Sequence, residues 1–167
     1  MTQPSEPGCL QAITHSPAET QHLGTRLARG LMPGDLVCLQ GDLGSGKTCL
    51  TQGIARGLGV AGAVASPTFI IINEYRIPGA ARRLRHIDLY RVASVAEALA
   101  LGLEDYLNSD GICVIEWAER VTELLPKERL WVTLRYLNET DREVVLEAIG
   151  QHYYDLLASI SHEAYEA

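Results

Sequence analysis

The sequence predicts an α/β domain, a three-layer sandwich built on a mixed, largely parallel sheet with β-hairpin insertions. Three observations carry that reading. The runs Leu36-Val37-Cys38-Leu39 and Ile112-Cys113-Val114-Ile115 are continuously apolar and bounded by turn residues, the pattern of strands buried on both faces. Segments of helical periodicity alternate with such runs through the middle of the chain. Ser16-Pro17-Ala18-Glu19 and Ser94-Val95-Ala96-Glu97 are capping boxes, each marking a helix start.

Taken in order, residues 1–12 are polar, carry Pro4, Pro7 and Gly8, and read as a flexible lead-in. The first helix opens at the Ser16 box with proline at its first position, and Leu23, Leu27 and Leu31 give it one apolar face. Gly30 and Pro33-Gly34 end it. After the strand at 36–39, Lys47 to Leu58 reads as a second helix, stopped by Gly57 and Gly59. Phe69 to Ile72 and Leu84 to Leu89 favour strand, and the Pro78-Gly79 turn between them makes a hairpin. The Ser94 box opens a helix with Val95, Ala98, Leu99, Leu103 and Tyr106 along one side. Leu130 to Leu137 and Glu143 to Ile149 flank Asn138-Glu139-Thr140-Asp141 as a closing hairpin, and 151–159 predicts a terminal helix. The domain therefore spans 13–150, with a C-terminal helix and tail over 151–167.

Bulk composition narrows the function. The 167 residues are 47% hydrophobic and 21% charged, a globular balance. Fourteen basic residues stand against 21 acidic ones, for a net charge of −7. A chain that grips nucleic acid unaided carries a basic face, because neutralising phosphates supplies the affinity. Contact with DNA is not expected, and any tie to RNA runs through a partner. Cys9, Cys38, Cys49 and Cys113 form no C-x-x-C pair, so neither a zinc knuckle nor a redox pair is read. The apolar runs fall well short of the roughly 20 residues of a membrane span, and the first twelve residues lack the pattern of a signal peptide. A cytoplasmic location is the expectation.

Gly41-Asp42-Leu43-Gly44-Ser45-Gly46-Lys47-Thr48 matches G-x-x-x-x-G-K-[ST] in full, between a buried strand and a helix, as a phosphate loop requires. Its glycines let successive N–H groups turn toward phosphate oxygens, and the helix N-terminus adds partial positive charge. Lys47 supplies a cation for the β- and γ-phosphates, and the Thr48 hydroxyl suits Mg²⁺. The fold expectation sharpens to a P-loop NTPase-like sandwich that binds Mg-ATP. Such a site also needs an acidic residue at the end of another strand. Glu116, following Ile115, and Asp88, following Ile87, both qualify.

Four blocks together carry a family resemblance: Gly41 to Thr48, Ser66-Pro67-Thr68-Phe69, His86-Ile87-Asp88-Leu89-Tyr90-Arg91 and Ile115-Glu116-Trp117. In order and spacing they resemble the TsaE (YjeE) family, the ATPase of bacterial tRNA threonylcarbamoyladenosine biosynthesis, over about residues 14–150. The resemblance implies that Gly44, Ser45, Gly46, Lys47, Thr48 and Cys49 wrap the phosphates of ATP, and that Thr48 and Glu116 ligate or support Mg²⁺. It implies that Ser66 and Thr68 belong to a first switch, with Thr68 sensing the γ-phosphate. Asp88 becomes the catalytic acid of a second switch, beside Lys47 and Glu116, and Trp117 part of a nucleotide-sensitive surface. It places the adenine pocket near Thr14-His15-Ser16. The implied partners are TsaD and TsaB, with tRNA reached through that complex, and the product is threonylcarbamoylated adenosine next to the anticodon in tRNAs reading codons that begin with A. Three positions depart from the usual pattern: Ser45 for alanine, Cys49 for a hydroxyl or other small residue, and Ala118 for proline.

Three other readings compete. A small-molecule kinase would use the same loop with an arginine lid, for which Arg82, Arg83 and Arg85 are candidates; a solvated hairpin tip is the plainer account of them. A GTP switch would need Asn-Lys-x-Asp, and the two lysines, Lys47 and Lys127, lie outside any such motif. A binding module that no longer hydrolyses would not need Lys47, Thr48, Asp88 and Glu116 together.

Overall fold

The structure is a computed structural model that describes residues 3–4, 8–67 and 71–165. Its elements run in chain order as β1 (Gln3–Pro4), β2 (Cys9–Thr14), α1 (Pro17–Ala28), β3 (Leu36–Gln40), α2 (Lys47–Gly57), β4 (Ile72–Arg76) and β5 (Arg83–Asp88). Then come α3 (Val95–Ala100), α4 (Leu103–Leu107), β6 (Ile112–Glu116), a 3-10 helix (Ala118–Leu124), β7 (Arg129–Tyr136), β8 (Arg142–Ile149) and α5 (Gln151–Tyr165).

All eight strands join one sheet in the order β1-β2-β8-β7-β3-β6-β5-β4. The central four, β7, β3, β6 and β5, are mutually parallel. The antiparallel pairings lie outside them: the β4–β5 hairpin at one end, and β7–β8, β8–β2 and β2–β1 at the other. This is the expected mixed α/β sandwich with two hairpins, but the strand expected over 69–72 is instead β4, which begins only at Ile72; residues 69 and 70 lie outside the described residues.

The alternation of side chains across the sheet explains the layers. On β3, Val37 and Leu39 face a core shared with Leu23 and Leu27 of α1, Leu50 and Ile54 of α2, and Leu156 of α5. Leu36 and Cys38 face the other way, onto a second core with Ala98 of α3, Leu103 of α4 and Val121 of the 3-10 helix. A strand covered on both sides must be apolar at every position, which is why β3 and β6 read as unbroken runs. Burial pushes the Cys38 thiol up to about 12 and the Cys113 thiol up to about 11, so both behave as small apolar groups.

Helix starts follow the capping boxes. Ser16 Oγ accepts the Glu19 N–H at 3.1 Å, and the Glu19 carboxylate accepts the His15 N–H at 2.8 Å. Ser94 and Glu97 repeat the arrangement, with the Ala93 N–H returning to Glu97 at 2.9 Å. The helix expected from Ser94 through Tyr106 is instead two, because Gly102 sits at φ 79°, a left-handed conformation that ends α3 before α4 begins. The lead-in expected over 1–12 also differs, since residues 9–12 belong to β2, paired along its length with β8. The terminal helix runs on to Tyr165. Tyr153 anchors it, its phenol oxygen accepting the Leu36 N–H at 2.9 Å at the end of β3 away from the phosphate loop.

Helices α1 and α2 pack backbone to backbone. A Cβ added at Gly53 would lie 2.0 Å from the Gln21 carbonyl oxygen, so only hydrogen fits there. Thr25 spans the same seam, its hydroxyl donating to Gly53 O at 3.1 Å. Gly53→Ala has to push the two helices apart and should lower stability by about 1–3 kcal/mol. Thermal unfolding followed by circular dichroism would read this as a melting point several degrees lower.

Candidate phosphate-loop site

The sheet brings the site together at the carboxyl ends of three adjacent parallel strands. Register pairs Leu39 with Glu116 and Glu116 with Asp88, so the end of β3, where the loop begins, lies beside Glu116, with Asp88 one strand further over. This is where open α/β sheets hold ligands.

From β3 the chain passes through Gly41 to Gly46 and directly into α2. Gly44 and Gly46 take φ of 78° and 103°, which a side chain would oppose, and Gly46 serves as the N-cap of α2. Ser45 is fully buried, its hydroxyl toward Lys47 and its N–H donated to Asp42 O at 3.1 Å. Lys47, only 5% exposed, donates from Nζ to Gly41 O at 2.5 Å and Asp42 O at 2.9 Å. The same ammonium stands 4.4 Å from the centre of the Trp117 ring. Burial holds the lysine below its ordinary pKa, opposed by the nearby carboxylates of Glu116, Glu119, Asp88 and Asp42.

Thr48 Oγ1 donates to Glu116 Oε1 at 2.8 Å. His86 Nε2 lies 3.0 Å from that same oxygen, and both His86 and Glu116 are buried. Because the threonine proton goes to the carboxylate, the hydroxyl lone pairs are left for another partner. Glu116 Oε2 accepts no hydrogen bond from the described residues. Among the described residues no three His, Cys, Asp or Glu side chains form a cage for a metal. A threonine hydroxyl and one carboxylate oxygen fit a hydrated Mg²⁺ that takes its remaining ligands from phosphate and water.

Asp88 is held from both sides. Ser66 Oγ donates to Oδ2 at 2.6 Å and the Tyr90 N–H donates to Oδ1 at 2.9 Å. The first and second expected switch segments are thus joined by the Ser66–Asp88 bond, while Thr68 lies outside the described residues. Trp117 is the one described non-glycine residue with positive φ, at 60°; its ring lies tilted against Tyr90, centroids 5.3 Å apart, and the Arg120 guanidinium lies over it at 4.9 Å. Arg120 in turn donates to the carbonyls of Leu89, Tyr90 and Val92, tying the chain after Asp88 to the chain after Glu116.

Some expected positions fall elsewhere. Thr14 is buried and bonded to Thr20 at 2.7 Å, and the Ser16 hydroxyl is spent on capping. Of the three residues expected around adenine, His15 alone is exposed, paired with Asp141 at 3.0 Å. Arg83 and Arg85 both pair with Glu74, and Arg85 also donates to Ser109. They sit at the opposite end of β5 from Asp88, Arg85 about 10 Å back along the strand.

The TsaE family model, described as threonylcarbamoyl adenosine biosynthesis protein TsaE, matches residues 14–144. The chain belongs to the TsaE family. It is 40% identical over 152 residues to the tRNA threonylcarbamoyladenosine biosynthesis protein TsaE of Bacillus subtilis, covering 91% of this chain and 94% of that one. The protein of the same name from Treponema pallidum is 36% identical over 137 residues, 82% of this chain and 99% of that. The crystal structure of Bacillus subtilis YdiB superposes with a TM-score of 0.79 at 34% identity, covering 98% of each chain.

Sequence reading missed two neighbours of the loop in this TsaE-family chain. Arg142, at the start of β8, donates to Gly44 O at 3.2 Å and lies over the Tyr136 ring at 4.6 Å. Glu119, in the 3-10 helix, has a buried Oε2 without a partner among the described residues, and burial raises its pKa against the pull of Lys47 and Arg120. Nothing local in either sequence segment points to the loop; the pairing of β7 with β8 and the turn after Glu116 bring them there.

Cys49, one of the positions that depart from the family pattern, is half-buried and donates its S–H to Pro17 O at 3.2 Å. Burial raises its pKa, so at pH 8 it holds less thiolate than an exposed cysteine. Iodoacetamide should alkylate Cys49 several-fold more slowly in the native protein than after denaturation. Mass spectrometry should find Cys38 and Cys113 labelled only after unfolding.

Proposed function

We propose that this chain is a Mg²⁺-dependent ATPase that acts with TsaB and TsaD in threonylcarbamoylation of the adenosine next to the anticodon, its hydrolysis supporting turnover of that complex. The observation that carries the reading is the Thr48–Glu116 bond at the root of a complete phosphate loop, with Asp88 one strand away. Membership of a family described by threonylcarbamoyl adenosine biosynthesis supports the pathway. Among the described residues no helix is long and apolar enough to cross a membrane, in keeping with the cytoplasmic role we assign.

In this reading the N–H groups from Gly44 to Cys49 bind the phosphate chain, and Lys47 Nζ exchanges the Gly41 and Asp42 carbonyls for phosphate oxygens. When bound, Mg²⁺ supplies neutralisation of the charge developing on the phosphoryl oxygens. Thr48 and Glu116 hold its position. Asp88, fixed by Ser66 and the Tyr90 N–H, orients the attacking water and takes its proton. Ser66 and Thr68 act as the first switch, and Trp117 senses the lysine it covers.

Release of Lys47 from the Trp117 ring should change tryptophan emission. With Trp131→Phe leaving Trp117 as the remaining tryptophan, titration with ATP should give a saturable signal that Lys47→Ala abolishes. Lys47→Ala should also lose nucleotide binding. Glu116→Ala should retain nucleotide binding without Mg²⁺ while hydrolysis falls roughly 100-fold. The decisive assay reconstitutes the chain with TsaB, TsaD, tRNA and threonylcarbamoyl-adenylate. Repeated rounds of modification should need ATP and intact Lys47; equal turnover with Lys47→Ala, or a strong preference for GTP, would refute the proposal.

A further inference from the structure

We propose that His86 is a positioning residue for Glu116, holding one carboxylate oxygen so that the other is presented to Mg²⁺; this rests on the reading of Thr48 and Glu116 as metal supports. His86 lies on β5, opposite Val114 of β6, and is fully buried. Its Nε2 is 3.0 Å from Glu116 Oε1. A carboxylate offers lone pairs only, so the shared proton in this bond sits on Nε2. Nδ1, by contrast, is buried without a partner among the described residues. The imidazole thus carries an unsatisfied polar atom into the sheet core, where an aromatic or aliphatic side chain would have packed without that cost. The bond that offsets it goes to Glu116.

The geometry gives the bond a purpose. Thr48 and His86 both donate to Oε1, from helix α2 on one side and strand β5 on the other. Two donors from different elements fix the carboxylate's rotation, which a single bond from Thr48 leaves free. Oε2, with no hydrogen bond from the described residues, is thereby turned into the remaining ligand position. An imidazole bonded to a metal-binding carboxylate orients it in the same way that a carboxylate orients a metal-binding imidazole. His86 does not touch substrate in this arrangement and acts through Glu116.

The test compares the full chain with His86→Phe, His86→Asn and His86→Gln, each checked for folding by its thermal melt. The glutamine amide nitrogen reaches to about where Nε2 stands; the asparagine amide is one methylene too short, and phenylalanine has no donor. Binding of a fluorescent ATP analogue is measured in EDTA and then against Mg²⁺ concentration, with hydrolysis measured in parallel. We expect nucleotide affinity in EDTA to stay within about twofold for every variant, since the loop N–H groups are untouched. The Mg²⁺ midpoint should rise roughly 10- to 100-fold for His86→Phe and His86→Asn, and most of that rise should be absent in His86→Gln. If His86→Phe does not fold, the asparagine–glutamine pair carries the comparison. A wild-type Mg²⁺ midpoint in folded His86→Phe or His86→Asn would overturn the proposal while leaving Mg-ATP binding intact. So would a glutamine variant as impaired as the asparagine one, because the role would then be packing. If the unmodified protein shows no effect of Mg²⁺ on nucleotide binding, the metal reading itself fails and this proposal with it.

Discussion

A hydrogen bond 2.8 Å long, from Thr48 Oγ1 to Glu116 Oε1, joins the first turn of helix α2 to the last residue of the central strand β6. The phosphate loop has no side-chain cap at its helix start, and its shape depends on where α2 is held. Beneath, the glycine seam against α1 fixes the helix laterally. Above, the Thr48 bond fixes its end relative to the sheet. Because β6 lies between β3 and β5, the same strand end also sets the distance from the loop to Asp88. The loop, the buried carboxylate and the acid beside it are therefore one rigid arrangement rather than three separate contributions.

Much of this was readable beforehand for a physical reason. Strands buried on both faces, glycines at positive φ and capping boxes each leave a local signature, and the loop, β3, β6 and α1 were found through them; the closing hairpin was found from its turn, while the strand expected over 69–72 lies instead at Ile72–Arg76. What escaped was set by partners distant in sequence. Strand β2 alternates weakly, and it becomes a strand because β8, beginning at Arg142, pairs with it from the far end of the chain. His86 and Glu116 are thirty residues apart, and only the parallel register of β5 and β6 makes them neighbours. Arg142 reaches Gly44 from 98 residues away. Gly102 was visible in the sequence, yet helical spacing of Val95, Leu99, Leu103 and Tyr106 outweighed it; Leu99 proves exposed, so that stripe was not a single buried face.

The segment after Asp88 has an unusual support. Trp117 accepts a left-handed backbone, a conformation that costs an L-residue of order 1–3 kcal/mol, and packs between two cations and a tyrosine. Arg120 spans from that ring to three carbonyls after Asp88. The contacts form a short physical chain between the loop lysine and the acid one strand over.

The bonds of Lys47 to Gly41 O and Asp42 O carry a thermodynamic consequence. Any phosphate entering the loop has to displace a strong bond of 2.5 Å before it gains its own, so the contacts are exchanged and not simply added. The net enthalpy of capture is then a small difference of large terms, and the return of the lysine to its own carbonyls favours dissociation. A group that took the place of those carbonyls would therefore gain less than the number of donors in the loop suggests.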